Sequence, residues 1–282
     1  MSFDDIPDTT PDARGRTIAE RVSARVQFNV PDRHNEKLAT LIERVNADDE
    51  LYTLWVAANI NAMERLGMTD HGPVHVKIVM NIAAKLFRLL EDAGVEPAVV
   101  TNYGMTRDEA EIVVVLAALL HDVGMSIHRV DHEAFSLFLA HQKIRELLDG
   151  LYEPREAVVL RAETLHAIIA HRAGGRPLTL EAGIVRIADA LDMAKGRSRI
   201  NVQSGSVSIH SVSAAAIENL RIEAGDTKPI RIIIEMSNSA GVFQLDQLFR
   251  EKLSGSGLEP YVQVEALIEG ESEKRLLQEF RL

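Results

Sequence analysis

A histidine and an aspartate stand side by side in the sequence AALLHDVG, residues 117–124, and their types suit metal chemistry. They end an apolar run that has the character of a buried helix. Adjacent residues on a helix project about 100° apart, so His121 and Asp122 can reach one ion only near the helix end. Imidazole nitrogen and carboxylate oxygen together suit Mn, Fe, Co, Ni or Zn. Taken alone, the pair is better explained by a buried histidine beside an aspartate that caps a turn.

More histidines and another aspartate fall within or at the ends of other apolar helical segments. They are His75, His132, His166, His171 and Asp189. The chain has no cysteine, so a metal site would have to use histidine and carboxylate ligands. Scattered core histidines do not usually bring carboxylates with them. The pattern therefore favours one metal-binding cluster over unrelated structural histidines.

The first histidine of this pattern has a neighbour of the same type. His71 lies four residues before His75, but Gly72 and Pro73 stand between them. Proline is favoured at the first position of a helix, so the helix should begin after His71 and carry His75. We therefore expect His75 to be the ligand, with His71 as the alternative.

A second choice lies near residue 170. His166 precedes His171 by five residues, which places the two about 140° apart around a helix, so both cannot easily face one ion. His171 ends its segment beside a glycine-rich turn. We expect His171 to be the ligand and keep His166 as the alternative.

The order of a histidine, an HD pair and a distant aspartate resembles the HD superfamily of metal-dependent phosphohydrolases. The resemblance covers about residues 70–199 and rests on HVKIV at 75–79, ALLHDVG at 118–124 and IVRIADALD at 184–192. Residues 167–197 are similar to the matching segment of bacterial symmetrical diadenosine tetraphosphate hydrolases and, more loosely, of cyclic-dinucleotide phosphodiesterases.

The resemblance implies a ligand set for two divalent ions, with Asp122 shared between them. One ion is held by the early histidine, the HD pair and the late aspartate, and members with two metals add two further histidines. On this sequence the set is His75, His121, Asp122, His132, His171 and Asp189. Mn or Fe is expected, and Mg, Ni, Co and Zn remain open.

The activity implied by the resemblance is attack of a metal-activated water on a phosphoester or phosphoanhydride of a small nucleotide-like substrate. Asp122 is a catalytic candidate, as are His128 and Arg129 just after the HD pair, although solvated loop residues would look the same. Cations near the late ligands would hold phosphate oxygens. The candidates are Arg176, Lys195, Arg197 and Arg199, of which the last two could equally be charges at a helix C-terminus.

Two positions depart from the related families. Met125 stands in the turn after the HD pair, where the diadenosine and cyclic-dinucleotide enzymes tend to carry a lysine. Gly175-Arg176-Pro177 stands near the place of the GYP triplet of the cyclic-dinucleotide enzymes. The missing GYP triplet argues against a cyclic-dinucleotide enzyme. The missing lysine favours a second hypothesis, a catalytically weak sensor that binds metal and nucleotide and signals through the C-terminal unit, although the full set of six ligands opposes it. A third hypothesis is a structural helical protein with incidental histidines.

The elements that must position these residues are mostly helices. From about residue 35 to 195, apolar residues recur at spacings of three and four. The helix after Thr106, which begins with a TRDE capping box, is apolar nearly all round as far as Leu120 and should lie at the domain centre. After Gly196, apolar and polar residues alternate as in strands, interrupted by one helix at about 242–253. We therefore predict a mainly α fold, a helical HD-type domain followed by a small α/β C-terminal unit.

Composition sets the broad class and the partners. The 282 residues divide into a flexible arm (1–34), the helical domain (35–198) and the α/β unit (199–282). The net charge of −11 makes nucleic acid an unlikely partner. The longest apolar run is about half of the roughly 20 residues that span a membrane. We expect a cytoplasmic protein, because the acidic N-terminus does not look like a signal peptide, and a homo-oligomer formed through the C-terminal unit.

Overall fold

The computed structural model describes residues 16–23, 25–31, 35–172, 174–193, 213, 216–268 and 280–281. Helices fill the described chain up to residue 193, and a small sheet with one helical segment follows. The predicted fold class, a helical domain with a small α/β unit after it, is confirmed.

The helical domain is built from α1 to α9. Their bounds are α1 (Ile18–Ser23), α2 (Glu36–Ala47), α3 (Asp49–Asn59), α4 (Pro73–Asp92), α5 (Ala98–Tyr103), α6 (Arg107–Leu120), α7 (His132–Leu147), α8 (Pro154–Ala170) and α9 (Leu180–Leu191). A π-helical turn, Ile60–Arg65, continues α3, and a 3-10 turn, Val123–Ser126, follows α6. As predicted, Pro73 is the first residue of its helix and His71 precedes that helix.

The central helix is α6, as its sequence predicts. Every side chain from Glu109 to Leu120 is buried, and helices α4, α8 and α9 pack around it. Thr106 and Glu109 form the predicted capping box at its start. At its end, the Trp55 indole N–H donates to the carbonyl of Leu119 at 3.0 Å. The end of α6 is therefore held rigidly inside the domain.

The turn that follows α6 is fixed by α7. The Ser136 hydroxyl donates to the carbonyl oxygen of His121 at 2.7 Å and accepts the backbone N–H of Gly124 at 2.9 Å. A Cβ on Gly124 would collide with the carbonyl oxygen of His132, so this glycine lets the two segments approach. One hydroxyl thus satisfies two backbone groups that the helix end leaves open.

The N-terminal arm differs from the expectation of a loose segment where it is described. Phe28 is buried, and its ring centroid lies 4.7 Å from that of Trp55. The side-chain amide of Asn46 exchanges hydrogen bonds with the backbone of Phe28, at 2.9 Å and 2.8 Å. Apolar burial and these bonds hold residues 25–31 on the helical domain.

The C-terminal unit is a mixed sheet with one crossing helix. Its strands are β1 (Ile217–Ala224), β2 (Ile230–Met236), β3 (Val262–Ile268) and β4 (Phe280–Arg281), in that spatial order. The β1–β2 and β3–β4 pairs are antiparallel, and β2–β3 is parallel. The helix between β2 and β3, here α10, comprises Gly241–Gln244, a π-helical turn Leu245–Phe249, and Arg250–Leu253. It matches the helix that the sequence predicts at about 242–253.

The C-terminal unit packs directly on the helical domain. Strands β1 and β2 contact α4, and α10 contacts α9. A Cβ on Gly183 of α9 would collide with the carbonyl oxygen of Ser256, just after α10, so the two backbones touch there. In the described part of the chain, no helix is long and apolar enough to cross a membrane.

Candidate metal centre

Helix ends deliver the predicted ligands to one place. His75 lies in the first turn of α4, His121 and Asp122 directly follow α6, His132 opens α7, His171 directly follows α8, and Asp189 lies in the last turn of α9. Asp131 adopts a left-handed backbone conformation with φ 60°, which aspartate tolerates better than most residues, and α7 begins at the next residue. The four histidines and Asp122 are buried, and Asp189 is partly exposed.

Each of the four imidazoles is oriented by a hydrogen bond at Nδ1. Nδ1 of His121, His132 and His171 bonds the backbone carbonyl three residues earlier, at 2.8, 3.0 and 2.6 Å. Nδ1 of His75 bonds a carboxylate oxygen of Asp192 at 2.6 Å. In the metal-bound protein these acceptors would hold the proton on Nδ1 and leave the lone pair on Nε2, the atom that faces the cluster. Metal-binding histidines are commonly oriented by such outer bonds.

The first group of ligand atoms gathers around the end of α6. Nε2 of His75 and Nε2 of His121 are 3.2 Å apart, and each lies 3.4 Å from Oδ2 of Asp122. Oδ1 of Asp189 lies 3.8 Å from both nitrogens. At 3.2 Å the two nitrogens can share a hydrogen bond in the metal-free protein, and with both lone pairs facing inward they would suit a cation. The ligand atoms therefore fit a divalent cation.

The second group shares the same aspartate. Oδ1 of Asp122 lies 3.0 Å from Nε2 of His132 and 3.6 Å from Nε2 of His171. The first group uses the other oxygen of Asp122, so this carboxylate presents one oxygen to each histidine pair. Among the residues that the structure describes, two groups could therefore hold an ion: His75–His121–Asp122 and Asp122–His132–His171.

Both aspartates are ionised at neutral pH. Burial raises the pKa of Asp122, but the attraction of His121 and hydrogen bonds from the neighbouring imidazoles outweigh it and hold that pKa well below its usual value. Burial likewise opposes ionisation of Asp189, and the charge of Lys252 chiefly outweighs it, so its pKa is also lowered. Burial lowers the pKa of His171, which keeps it neutral as a metal ligand must be.

The alternative ligands lie elsewhere among the described residues. Nδ1 of His71 lies 2.8 Å from the carbonyl oxygen of Thr69, and this ring stacks at a tilt on His75, outside both ligand groups. Nε2 of His166 accepts the backbone N–H of Leu178 at 3.0 Å, which holds the loop before α9. The structure brings His75 and His171 into the cluster rather than these neighbours.

The predicted substrate-contacting residues are less uniformly placed. Arg129 lies at the cluster edge, where its guanidinium is 2.9 Å from Nδ1 of His132. His128 is exposed in the same loop, and its Nδ1 accepts the backbone N–H of Val130 at 3.0 Å. Arg176 is exposed in the loop after His171. The remaining candidates Lys195, Arg197 and Arg199 lie outside the described residues.

Sequence reasoning missed a cation that the C-terminal unit brings to the cluster. Lys252 of α10 extends its ammonium to within 3.3 Å of Oδ2 of Asp189 and also donates to the carbonyl oxygen of His171. Its surrounding sequence, DQLFREKL, looks like any amphipathic helix. Only the packing of α10 on α9 could reveal this contact. Arg186, a cation inside the apolar pattern of IVRIADALD, could have indicated that another segment packs on α9, but not that Lys252 reaches Asp189.

Comparison with known proteins assigns the class. The family model for the HD domain matches residues 74–194, which include all six predicted ligands. The chain belongs to the HD-domain family, whose members are generally metal-dependent phosphohydrolases. It is similar to the uncharacterized protein MJ1020 of Methanocaldococcus jannaschii, with 42% identity over 214 residues, 76% of this chain and 83% of that protein.

Proposed function

We propose that this protein is a phosphohydrolase that uses two divalent ions to cleave a phosphoester or phosphoanhydride of a nucleotide-like substrate. The observation that carries the proposal is the placement of Asp122, with one oxygen toward each histidine pair. A shared carboxylate is the arrangement expected of a two-metal site, in which the ions lie roughly 3.5–4 Å apart. We propose Mn or Fe as the metal, because the predicted ligands are imidazole nitrogens and carboxylate oxygens.

The chemistry divides between the ions and the chain. Bound divalent ions would activate a water and neutralise charge on the phosphoryl oxygen. The six predicted ligands would hold them, and Asp192 would keep the ring of His75 in the required tautomer. Burial of the ligand side chains strengthens each charge interaction, because little water competes there. Positioning and charge stabilisation supply most of the catalysis in phosphoryl transfer.

Arg129 is the side chain that we assign to the substrate phosphate. A metal-binding His132 must carry its proton on Nδ1, which then donates to the carbonyl of Arg129 at 3.0 Å or to Glu133 at 3.2 Å. Such an Nδ1–H cannot accept a hydrogen bond from the guanidinium that lies 2.9 Å away. With a metal bound, this guanidinium would be free for a phosphate oxygen, which it could bind in a bidentate manner. The roles of His128 in catalysis and of Arg176 in substrate binding stay predictions.

The nucleotide part of the proposal rests on the resemblance of residues 167–197 to the diadenosine tetraphosphate enzymes. The competing hypothesis, a catalytically weak sensor, draws support from Met125. Its side chain is fully buried against Ala58, Ala62 and Met68, so this turn offers no cation to a phosphate. The six converging ligands favour the enzyme.

The test is turnover by the full chain loaded with Mn²⁺ or Fe²⁺. The panel comprises bis-p-nitrophenyl phosphate, nucleoside monophosphates, dinucleoside polyphosphates and cyclic dinucleotides. We expect turnover of at least one class, lost in Asp122→Ala and retained in Asp149→Ala, which changes an exposed aspartate. Tight metal binding with no turnover of any member would favour the sensor instead.

We also propose a cytoplasmic homo-oligomer joined through the C-terminal unit. The support is the small size of that unit, which buries little surface beyond its contacts with α4 and α9. Light scattering of the purified full chain tests the assembly, with a mass of at least twice 31.2 kDa expected. A monomer at micromolar concentration would contradict it.

A further inference from the structure

One face of α9 joins the C-terminal unit to the metal centre. Gly183, Arg186 and Asp189 follow each other at intervals of three, so they lie along neighbouring turns of the helix. Gly183 touches the backbone of Ser256, Arg186 binds the end of α10, and Asp189 contacts Lys252. Of these residues, Asp189 is also a predicted metal ligand. The same helix face therefore serves both parts of the molecule.

Arg186 acts as a clamp between two helix ends. The residue is 2% exposed, and its guanidinium donates to the carbonyl oxygens of Arg172 at 2.6 Å, Lys252 at 2.8 Å and Glu251 at 3.3 Å. The first carbonyl follows His171 directly, and the other two belong to α10. Because loss of a buried charged donor leaves several carbonyls unsatisfied, this clamp should fix α10 firmly against the end of α8.

Lys252 extends from the clamped helix to both ligand groups. Its ammonium is 3.3 Å from Oδ2 of Asp189, while Oδ1 of the same carboxylate faces His75 and His121. The ammonium also donates to the carbonyl oxygen of His171. The two oxygens of Asp189 are therefore divided, one toward the first ligand group and one toward the C-terminal unit. The side chain of Lys252 is 19% exposed, so these bonds compete little with water.

We propose that Lys252 is a positioning residue of the metal centre, supplied by the C-terminal unit. By holding Oδ2 of Asp189, it turns Oδ1 toward His75 and His121 and so sets the affinity of the ion bound there. The inference rests on the proposed two-ion site but not on turnover. Outer partners of ligating carboxylates typically contribute about 10–100-fold to metal affinity. A shift of α10 on α9 would alter that affinity, which couples the C-terminal unit to the centre.

Competition between the Lys252 ammonium and the ion would have the opposite effect on metal affinity. An ammonium close to a cation site repels the incoming ion, and a lysine that merely occupies the place of a metal would compete with it. In that case removal of the charge would strengthen metal binding. Positioning and competition therefore predict changes of opposite sign.

The experiment is a Mn²⁺ titration of the metal-free full chain by calorimetry with chelator competition, for wild type, Lys252→Met and Lys252→Arg. We expect one of two ions to bind at least about tenfold more weakly in Lys252→Met, and Lys252→Arg to recover most of the loss. Arg250→Met is the matched control, because it removes an exposed charge from the same helix that pairs only with Asp246 in the described contacts. Circular dichroism and the Tm of the metal-free variants establish that each is folded.

Unchanged or tighter binding in Lys252→Met would overturn the proposal, as would equal weakening in Arg250→Met. If Lys252→Met does not fold, Lys252→Gln takes its place, because it also removes the charge, and unchanged or tighter binding in that variant contradicts the positioning role. The Mn²⁺ affinities can be interpreted whether or not the protein has the proposed activity. Wild type that binds two ions and hydrolyses nothing would refute the phosphohydrolase and leave the role of Lys252 testable.

Discussion

Asp122 presents one carboxylate oxygen to each histidine pair, so its removal should disturb both ion sites at once. In Asp122→Ala we expect neither ion to be retained through dialysis, a greater loss than the roughly 10–100-fold that outer partners contribute. Elemental analysis of the purified protein measures this directly. Asp149→Ala, an exposed aspartate, should keep the wild-type metal content. One ion remaining in Asp122→Ala would show that the carboxylate is not shared.

His171 and His166 provide a matched pair of variants on the same helical stretch. We expect His171→Ala to retain about one ion per chain, because its Nε2 belongs only to the second group. His166→Ala should retain both ions, since its Nε2 accepts a backbone N–H from Leu178. The same elemental analysis distinguishes them. Full metal content in His171→Ala would return His166 to the ligand set.

For single residues, the sequence predicted the side chains that converge on the metal centre but not all of the contacts that they make there. The HD pair, the proline before His75 and the turn after His171 each restricted where a ligand could lie. The resemblance implied a shared Asp122, but which of its oxygens faces which histidine pair depends on distances across four helices, which no local pattern encodes. Lys252 was missed for the same reason, because its contact with Asp189 joins residues 63 positions apart.

At the scale of elements, Gly124 decides how closely α6 and α7 approach. In Gly124→Ala the new Cβ would collide with the backbone at His132, so we expect a loss of roughly 1–3 kcal/mol or more in the free energy of unfolding. We also expect weaker binding at the second ion site, because His132 must move. Urea unfolding and Mn²⁺ titration measure the two effects.

Gly150→Ala is the control for that variant. Gly150 has φ +68° and open space around it, so its substitution costs about 1–2 kcal/mol in backbone strain alone. Ion binding should stay as in wild type, since no ligand moves. Wild-type ion affinity in Gly124→Ala would mean that the α6–α7 approach does not position His132.

Glu181 couples α9 to α5 and gives a pH-dependent prediction. Burial raises its pKa, although the backbone N–H groups of Ala98 and Val99 at 3.2 Å and 2.9 Å oppose that rise. A carboxyl whose pKa is raised by folding favours the folded state below its unfolded pKa of 4.5 and loses that contribution as pH rises through its folded value. Relative to Glu181→Gln, wild type should therefore lose stability between pH 4.5 and 7.5.

Urea unfolding of both proteins at the two pH values tests this sign. Glutamine keeps a carbonyl acceptor for the N-terminus of α5 but carries no charge. A stability difference that is constant with pH, or that shifts toward wild type as pH rises, would contradict the prediction.

Elements with strong periodicity could be predicted well from sequence. The capping box at Thr106, Pro73 at a helix start and the apolar run of α6 all depend on local chemistry, and the structure confirms them. The packing of Phe28 on Trp55 could not be predicted, because a few apolar residues in a polar arm do not show which surface they cover. Tertiary contacts fix the position of that segment on the helical domain.

At the scale of the whole molecule, the helical domain and the α/β unit share one interface at α9. The predicted order of the two units was readable from the change in hydrophobic period near residue 196. Their mutual packing could not be predicted, because the roles of Gly183 and Arg186 depend on their contacts with α10 and the residues just after it. The C-terminal unit is therefore part of the metal centre's surroundings rather than a separate attachment.

The central claim is a pair of divalent ions that share Asp122. Titration of the metal-free full chain with Mn²⁺, followed by electron paramagnetic resonance, tests it most directly, because two ions joined by a carboxylate couple their spins. We predict about two ions per chain and an exchange-coupled spectrum that is absent in Asp122→Ala. A single bound ion, or two ions with the spectrum of isolated Mn²⁺, would contradict the account.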